Sequence, residues 1–200
     1  MDQLDRTTTR KDRSMLVKYL APATLAGLVL SAVLAPTQVA AQAASASDSG
    51  FIQMAGSLGL LQAKLGKLAE NKASSPAVKD FGKRMVADYA KLNEELEAGA
   101  KQAAYPSPVM LRQHQQTYDR FLRMGRDSFD KKYMAEMVAD HTDAVRLYQQ
   151  QAERGRIASL KELATKTLPT LQQQTALATE TASSVGAEVT ATADGEKQGS

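Results

Sequence analysis

The chain has 200 residues, contains neither cysteine nor tryptophan, and carries a formal net charge of +3. Without cysteine it can form no disulfide bond and has no thiol chemistry, so its stability must come from packing. Residues that lose little side-chain freedom in a helix (Ala, Leu, Gln, Lys and Glu) dominate the composition, which predicts an all-α fold.

The first 43 residues have the pattern of a secretory signal peptide. A polar, basic stretch precedes the apolar run 21–35, and small residues then offer cleavage sites after Ala41 or Ala43. The alternative is a membrane anchor, but the run is shorter than the roughly 20 residues that span a bilayer. Met15 is an alternative initiator. We therefore expect a periplasmic protein, with secretion as the alternative location.

The charge balance changes once this segment is removed. Residues 1–43 hold five of the 25 basic and three of the 22 acidic residues, which leaves 20 basic and 19 acidic residues in the mature chain. Nucleic-acid binding requires a clustered basic face, so we predict no nucleic-acid partner. The mature chain is predicted to have no transmembrane helix. The partner is unknown, and an envelope protein and a second copy of this chain are the two alternatives.

Four amphipathic helices are predicted in a bundle domain over residues 51–181, between a linker at 44–50 and a disordered tail at 182–200. Apolar residues recur at steps of three and four in each helix. The four helical segments are residues 51–72, 76–103, 128–154 and 158–181. Met54 is expected on the apolar face of the first.

The starts and connections of these helices can also be read from the sequence. Ser75 is expected to be the N-cap of the second helix, with Pro76 as its first residue. Residues 109–124 are predicted to form a connector packed across one end, in which His114 faces solvent. Helices of matched length bury their stripes best as a bundle, which predicts a ferritin-like four-helix bundle with a short crossover connector helix.

Two pairs of matching runs indicate a duplicated helical hairpin. Residues 85–89 read Met-Val-Ala-Asp-Tyr, and residues 137–141 read Met-Val-Ala-Asp-His. Residues 78–81 (Val-Lys-Asp-Phe) parallel residues 160–163 (Leu-Lys-Glu-Leu). The first pair falls in the second and third long helices, so the chain is an imperfect tandem repeat.

Six short motifs in order carry a resemblance to a known family. They are Leu65-Gly-Lys-Leu-Ala69, Pro76-Ala-Val-Lys-Asp-Phe81, Met85-Val-Ala-Asp88, Phe129-Asp-Lys-Lys-Tyr133, Val138-Ala-Asp-His141 and Leu168-Pro-Thr-Leu171. Together they resemble the exported, ferritin-like bacterial family catalogued as domain of unknown function 4142. The resemblance implies export and a helical bundle, and it leaves the molecular function open.

One polar residue lies on or beside the buried face of each long helix: Gln62, Tyr89, His141 and Gln174. We predict that these four form a polar layer across the core. The resemblance implies metal ligands at such positions, commonly Glu in place of Gln62 and His in place of Tyr89 and Gln174. Only His141 keeps the family residue.

The ligand set of a di-iron bundle is incomplete in this chain. Such a site needs Glu-x-x-His motifs, and the sequence contains none. Amides and a phenol bind divalent metals poorly beside carboxylate and imidazole. We therefore predict no cofactor and interpret His141 as a core histidine hydrogen-bonded to Tyr89 or Gln174. A divalent metal held by His141, Asp140 and Asp88 is the alternative.

Motifs for other chemistry are absent. The sequence shows no Ser/His/Asp arrangement, Gly-rich phosphate loop or zinc motif. These observations favour a non-enzymatic, exported helical bundle with an envelope or stress-related binding role. The alternative function is a metal-binding or redox protein with a degenerate site around His141.

Overall fold

The computed structural model describes residues 35–189, with side chains described from Asp48 onward. Most of the predicted signal peptide and residues 190–200 of the predicted tail lie outside the described residues. The described part is all-α, as predicted. It contains the helices α1 (Ala35–Lys72), α2 (Pro76–Gln102), α3 (Arg112–Arg123), α4 (Arg126–Arg154) and α5 (Ala158–Ser184). None of these helices combines the length and apolar character needed to cross a membrane.

The first helix begins earlier than its apolar pattern predicted. Residues 44–50, expected to form a linker, lie inside α1, which also runs through both predicted cleavage positions. The early part of α1, residues 35–50, contains six alanines, and alanine is the strongest helix former, but it lacks the apolar periodicity that would have revealed a helix. Asp48 within it is buried, with 1% of its surface exposed. The end of this stretch therefore belongs to the folded domain.

The start of α2 is capped from another helix. Pro76 is its first residue and Ser75 has extended backbone angles, as expected, but the Ser75 side chain makes no capping hydrogen bond. Asp130 of α4 instead accepts hydrogen bonds from the backbone N–H of Ser74 and Ser75, at 2.7 to 3.1 Å. A carboxylate satisfies N–H groups at a helix start and is favoured there by the helix dipole.

The start of α5 is capped in the corresponding way. Asp48 of α1 accepts the backbone N–H groups of Arg156 and Ile157 at 3.2 Å, and the Gln151 side-chain amide at 2.7 Å. The same distance along the chain separates Asp48 from Asp130 as separates the two similar runs at 78–81 and 160–163. The duplication therefore includes these caps, in which each hairpin caps the second helix of the other.

The four long helices contact one another in a ring. Helix α1 packs along α2 and α4 along α5, while α1–α4 and α2–α5 contacts join the two hairpins. Helices α1 and α4 are antiparallel, as two contacts show. Asp48 of α1 is bonded to Gln151 near the end of α4, whereas Gln62, further along α1, is bonded to Asp140, which comes earlier in α4. Helix α1 is also antiparallel to its hairpin partner α2, so α2 and α4 run in the same direction.

Two glycines set the separation of α1 and α2. A Cβ atom on Gly66 would lie 2.7 Å from the Gly82 carbonyl oxygen, and a Cβ on Gly82 would lie equally close to the Gly66 oxygen. Only residues without a side chain allow this approach.

The connector α3 lies along α1 rather than across one end. The backbone N–H of Leu111 donates to Ser57 Oγ, and Lys72 Nζ donates to two carbonyl groups at the other end of α3. Because α2 and α4 run in the same direction, the chain must travel back along the helices between them. His114 does not face solvent freely. It is half-buried, and its Nδ1 lies 2.6 Å from Ser57 Oγ.

The core is apolar, with an aromatic cluster at the α3–α4 end. Phe121 and Phe129 meet edge to face at 6.0 Å, and Phe129 stacks on Tyr133 at 5.4 Å. Met54, expected on the buried face, is an exception. It is 36% exposed, and Gln113 Nε2 lies 3.7 Å from its sulfur.

Candidate functional site

The four polar residues at the helix seams are all buried. Gln62 and His141 have no exposed surface, and Tyr89 and Gln174 are 2% exposed. They come one each from α1, α2, α4 and α5. We call these four residues the polar layer. The Tyr89 and His141 rings meet edge to face at 5.8 Å.

Each glutamine of the polar layer binds an aspartate of the opposite hairpin. Gln62 Nε2 donates to Asp140 Oδ2 at 2.7 Å, which links α1 to α4. Gln174 Nε2 donates to Asp88 Oδ2 at 2.9 Å, which links α5 to α2. We call these two hydrogen bonds the cross-hairpin bridges. Both aspartates are the fourth residue of the repeated five-residue run, so the repeat places one bridge acceptor in each hairpin.

The histidine is bonded within its own helix. His141 Nδ1 lies 2.7 Å from the Met137 carbonyl oxygen. Because a carbonyl only accepts, Nδ1 carries the proton and Nε2 is the acceptor nitrogen of the ring. Burial lowers the pKa of His141 to about 4, against the hydrogen bond to Met137, so the ring is neutral. The prediction that His141 is hydrogen-bonded to Tyr89 or Gln174 was wrong. The ring nitrogen Nδ1 donates instead to the carbonyl of Met137, one helical turn earlier.

Several buried polar atoms have no hydrogen-bond partner among the described residues. They are Gln62 Oε1, Tyr89 OH, Tyr133 OH, His141 Nε2 and Gln174 Oε1. Leaving such an atom unpaired costs about 1–3 kcal/mol. Burial raises the pKa of both phenols, so they stay neutral. Tyr133 was missed in the sequence because it reads as an ordinary aromatic of the apolar stripe.

Asp140 is a partly buried carboxyl with a strongly shifted pKa. Burial, followed by the nearby charge of Glu136, raises its pKa to about 8, and the hydrogen bond from Gln62 opposes this rise. Glu136 is itself paired with Arg120 at 2.8 Å. Asp140 therefore titrates near neutral pH, while one of its oxygens is held by Gln62.

Asp88 lies where the polar layer reaches the surface. Its side chain is 32% exposed, and Arg84 Nε approaches its Oδ2 at 3.6 Å. It lines a cleft of about 330 Å³ between α2 and α5, which we call the α2–α5 cleft. Both helices contribute charged and polar residues to its lining, which consists of Asp88, Lys91, Leu92, Glu95, Lys166, Thr167, Thr170 and Gln174.

The candidate metal ligands do not form a metal site of ferritin type. Asp140 and Asp88 are held by different glutamines, on α1 and α5. Within residues 48–189, no group of three or more His, Asp or Glu side chains is close enough to hold a metal ion. A dimetal site of that type needs four carboxylates and two histidines from the four helices. The polar layer supplies His141 and neutral amide and phenol groups, so its donor set does not fit a dimetal centre.

A family model matches most of the chain. No curated protein and no solved structure matches the chain. The model of the family described as "Domain of unknown function (DUF4142)" matches residues 33–181. This span covers α1 to α4 and all of α5 except its last three residues, 182–184. It includes the polar layer and both cross-hairpin bridges. The chain therefore belongs to the DUF4142 family.

Proposed function

We propose that this protein is an exported, periplasmic helical bundle with a non-enzymatic binding role in the cell envelope or its stress response. The cross-hairpin bridges carry the non-enzymatic part of the proposal. Asp88 and Asp140, the carboxylates nearest the polar layer, each accept a hydrogen bond from a glutamine of the opposite hairpin. Hydrogen bonds of this kind link helices of different hairpins, and this supports a structural role for the two side chains.

We further propose that the bundle is ferritin-like. The ring of contacts, the antiparallel α1–α4 pair and the connector lying along α1 support this topology. In ferritin-like bundles one long crossover joins the second and third long helices, which run in the same direction. The segment that contains α3 would be that crossover.

Export is tested by fractionating cells that express the full chain. We expect the mature protein in the periplasmic fraction, with an N-terminus at Gln42 or Ala44 by intact mass. Either terminus keeps Asp48, which caps α5. An uncleaved chain in the membrane fraction would contradict the proposal.

A second candidate function is metal binding or redox chemistry around His141. One observation favours it: His141 Nε2 and two amide oxygens of the polar layer are buried acceptors that have no partner within residues 48–189. Elemental analysis of protein purified from the periplasm separates the two candidates. The non-enzymatic binding role predicts a metal content well below one ion per chain. Stoichiometric iron, manganese or zinc that is lost in His141→Ala would establish the second candidate instead.

A further inference from the structure

Five buried polar atoms of the core make no hydrogen bond to any described residue, and we call them the five core atoms. They are Gln62 Oε1, Tyr89 OH, Tyr133 OH, His141 Nε2 and Gln174 Oε1. Native cores contain few such atoms, because each gives up its hydrogen bonds to bulk water on burial. Leaving all five unpaired would cost a large fraction of the stability of a typical domain. We therefore expect partners from outside the chain.

The five core atoms lie around the two cross-hairpin bridges. Gln62 and Gln174 belong to the bridges themselves. Burial is the main cause of the raised pKa of Tyr89, and the charges of both bridge aspartates raise it further, which places Tyr89 near both bridges. Burial also dominates the pKa of Tyr133 and of His141, with a smaller effect of one bridge aspartate on Tyr133 and of the other on His141. The five core atoms therefore share one region, which crosses the core from one bridge to the other.

Donors and acceptors do not balance in this region. The hydroxyl groups of Tyr89 and Tyr133 each donate one hydrogen, because burial keeps both phenols protonated. The other three core atoms, on Gln62, His141 and Gln174, only accept. Two hydrogens cannot satisfy three acceptors. Reorienting the two hydroxyls alone would therefore leave at least one acceptor without a donor.

A ligand for this region must both donate and accept hydrogen bonds. Water donates two hydrogen bonds and accepts two, and buried water typically binds polar groups that the chain leaves unsatisfied. A metal cation would offer no acceptor to the two phenol hydrogens. Water is also small enough to enter a closed core when the structure opens locally. The nearest route from solvent is at Asp88, which is 32% exposed at its side chain and lines the α2–α5 cleft.

We infer that ordered water molecules occupy the core between the two cross-hairpin bridges and are hydrogen-bonded to the five core atoms. Such water connects side chains of α1, α2, α4 and α5 and links the two hairpins a second time, beside the bridges. The water site does not depend on the proposed envelope role, which has its own test.

The test is a pair of high-resolution crystal structures of the protein purified from cells that express the full chain, one before and one after treatment with a chelator. We expect the same water density in both, at about 2.7–3.2 Å from at least two of the five core atoms. Direct hydrogen bonds among the five core atoms with no water between them would overturn the inference. Density that shows the anomalous scattering of a metal, or that is lost on chelation, would also overturn it.

Tyr89→Phe tests the same site in solution, because it removes the hydroxyl and keeps the ring. A hydroxyl bonded to water predicts a lower urea midpoint for Tyr89→Phe than for the wild type. An unpaired hydroxyl predicts an equal or higher midpoint, since a buried group without a partner has been removed, and that result would overturn the inference. Tyr148→Phe is the matched control. Tyr148 is also 2% exposed, but its hydroxyl is not one of the five core atoms, so Tyr148→Phe should keep the water density that Tyr89→Phe loses.

Discussion

Asp140 and His141 are adjacent in α4 and should give the protein an unusual dependence of stability on pH. The pKa of Asp140 is raised from 3.8 to about 8, so between these values the folded state binds a proton that the unfolded state releases. The pKa of His141 is lowered from 6.5 to about 4, so between these values the unfolded state binds a proton that the folded state does not. The two effects have opposite signs.

The signs define two windows of pH. From about pH 4 to 6.5 the two groups cancel, because one extra proton is bound in each state. From about pH 6.5 to 8 only Asp140 contributes, and the free energy of unfolding falls with rising pH by about 1.4 kcal/mol per pH unit, or about 2 kcal/mol in all. His114, whose pKa burial also lowers, acts below pH 6.5 and does not affect the upper window.

The assay is urea unfolding followed by circular dichroism across this pH range, for the wild type and Asp140→Asn. An asparagine can still accept the hydrogen bond from Gln62, but it cannot ionise. We expect the loss of about 2 kcal/mol above pH 6.5 in the wild type and no such loss in the variant. Equal slopes for both proteins in the upper window would refute the reasoning, because the loss would then come from groups other than Asp140.

Two further changes test the packing and the caps by thermal and urea unfolding. Gly82→Ala should destabilise the fold by about 1–3 kcal/mol, since its Cβ would lie 2.7 Å from a backbone oxygen of α1. Gly50→Ala in the same hairpin adds a Cβ that meets no atom of the described residues within 4 Å, and it should stabilise α1 by up to about 1 kcal/mol. Asp48→Ala should cost about 2–4 kcal/mol, because several donors at the start of α5 lose their acceptor. Asp80→Ala, at an exposed ion pair, is its control and should change stability by less than about 1 kcal/mol. Equal effects of the two members of either pair would contradict the packing described.

Most of the helix bounds could be predicted from the sequence, because apolar residues recur at the helix positions that are buried in the core. Helices α2 and α4 begin at or within two residues of the predicted positions, at Pro76 and Arg126. The start of α1 could not be found in this way, since an alanine-rich stretch is helical without a stripe. The caps were missed for another reason. Asp48 and Asp130 act on residues far away in the chain, and no local motif records such a contact.

For the candidate site, the burial of the polar-layer residues was easier to predict than their hydrogen-bond partners. The positions of Gln62, Tyr89, His141 and Gln174 on their helices follow from spacing, and all four are buried. Their hydrogen-bond partners depend on how the two hairpins pack against each other. The spacing of residues within one helix does not determine that packing. The repeated aspartate beside each buried seam residue was the available signal for the bridges.

The two cross-hairpin bridges are expected to stabilise the packing of one hairpin against the other. A double-mutant cycle measures this directly, using Gln62→Ala, Asp140→Ala and the double variant, and the same set for Gln174 and Asp88. The bridges predict a coupling free energy of about 0.5–3 kcal/mol within each pair, as for other residues in direct contact. Coupling indistinguishable from zero in both pairs would contradict the claim.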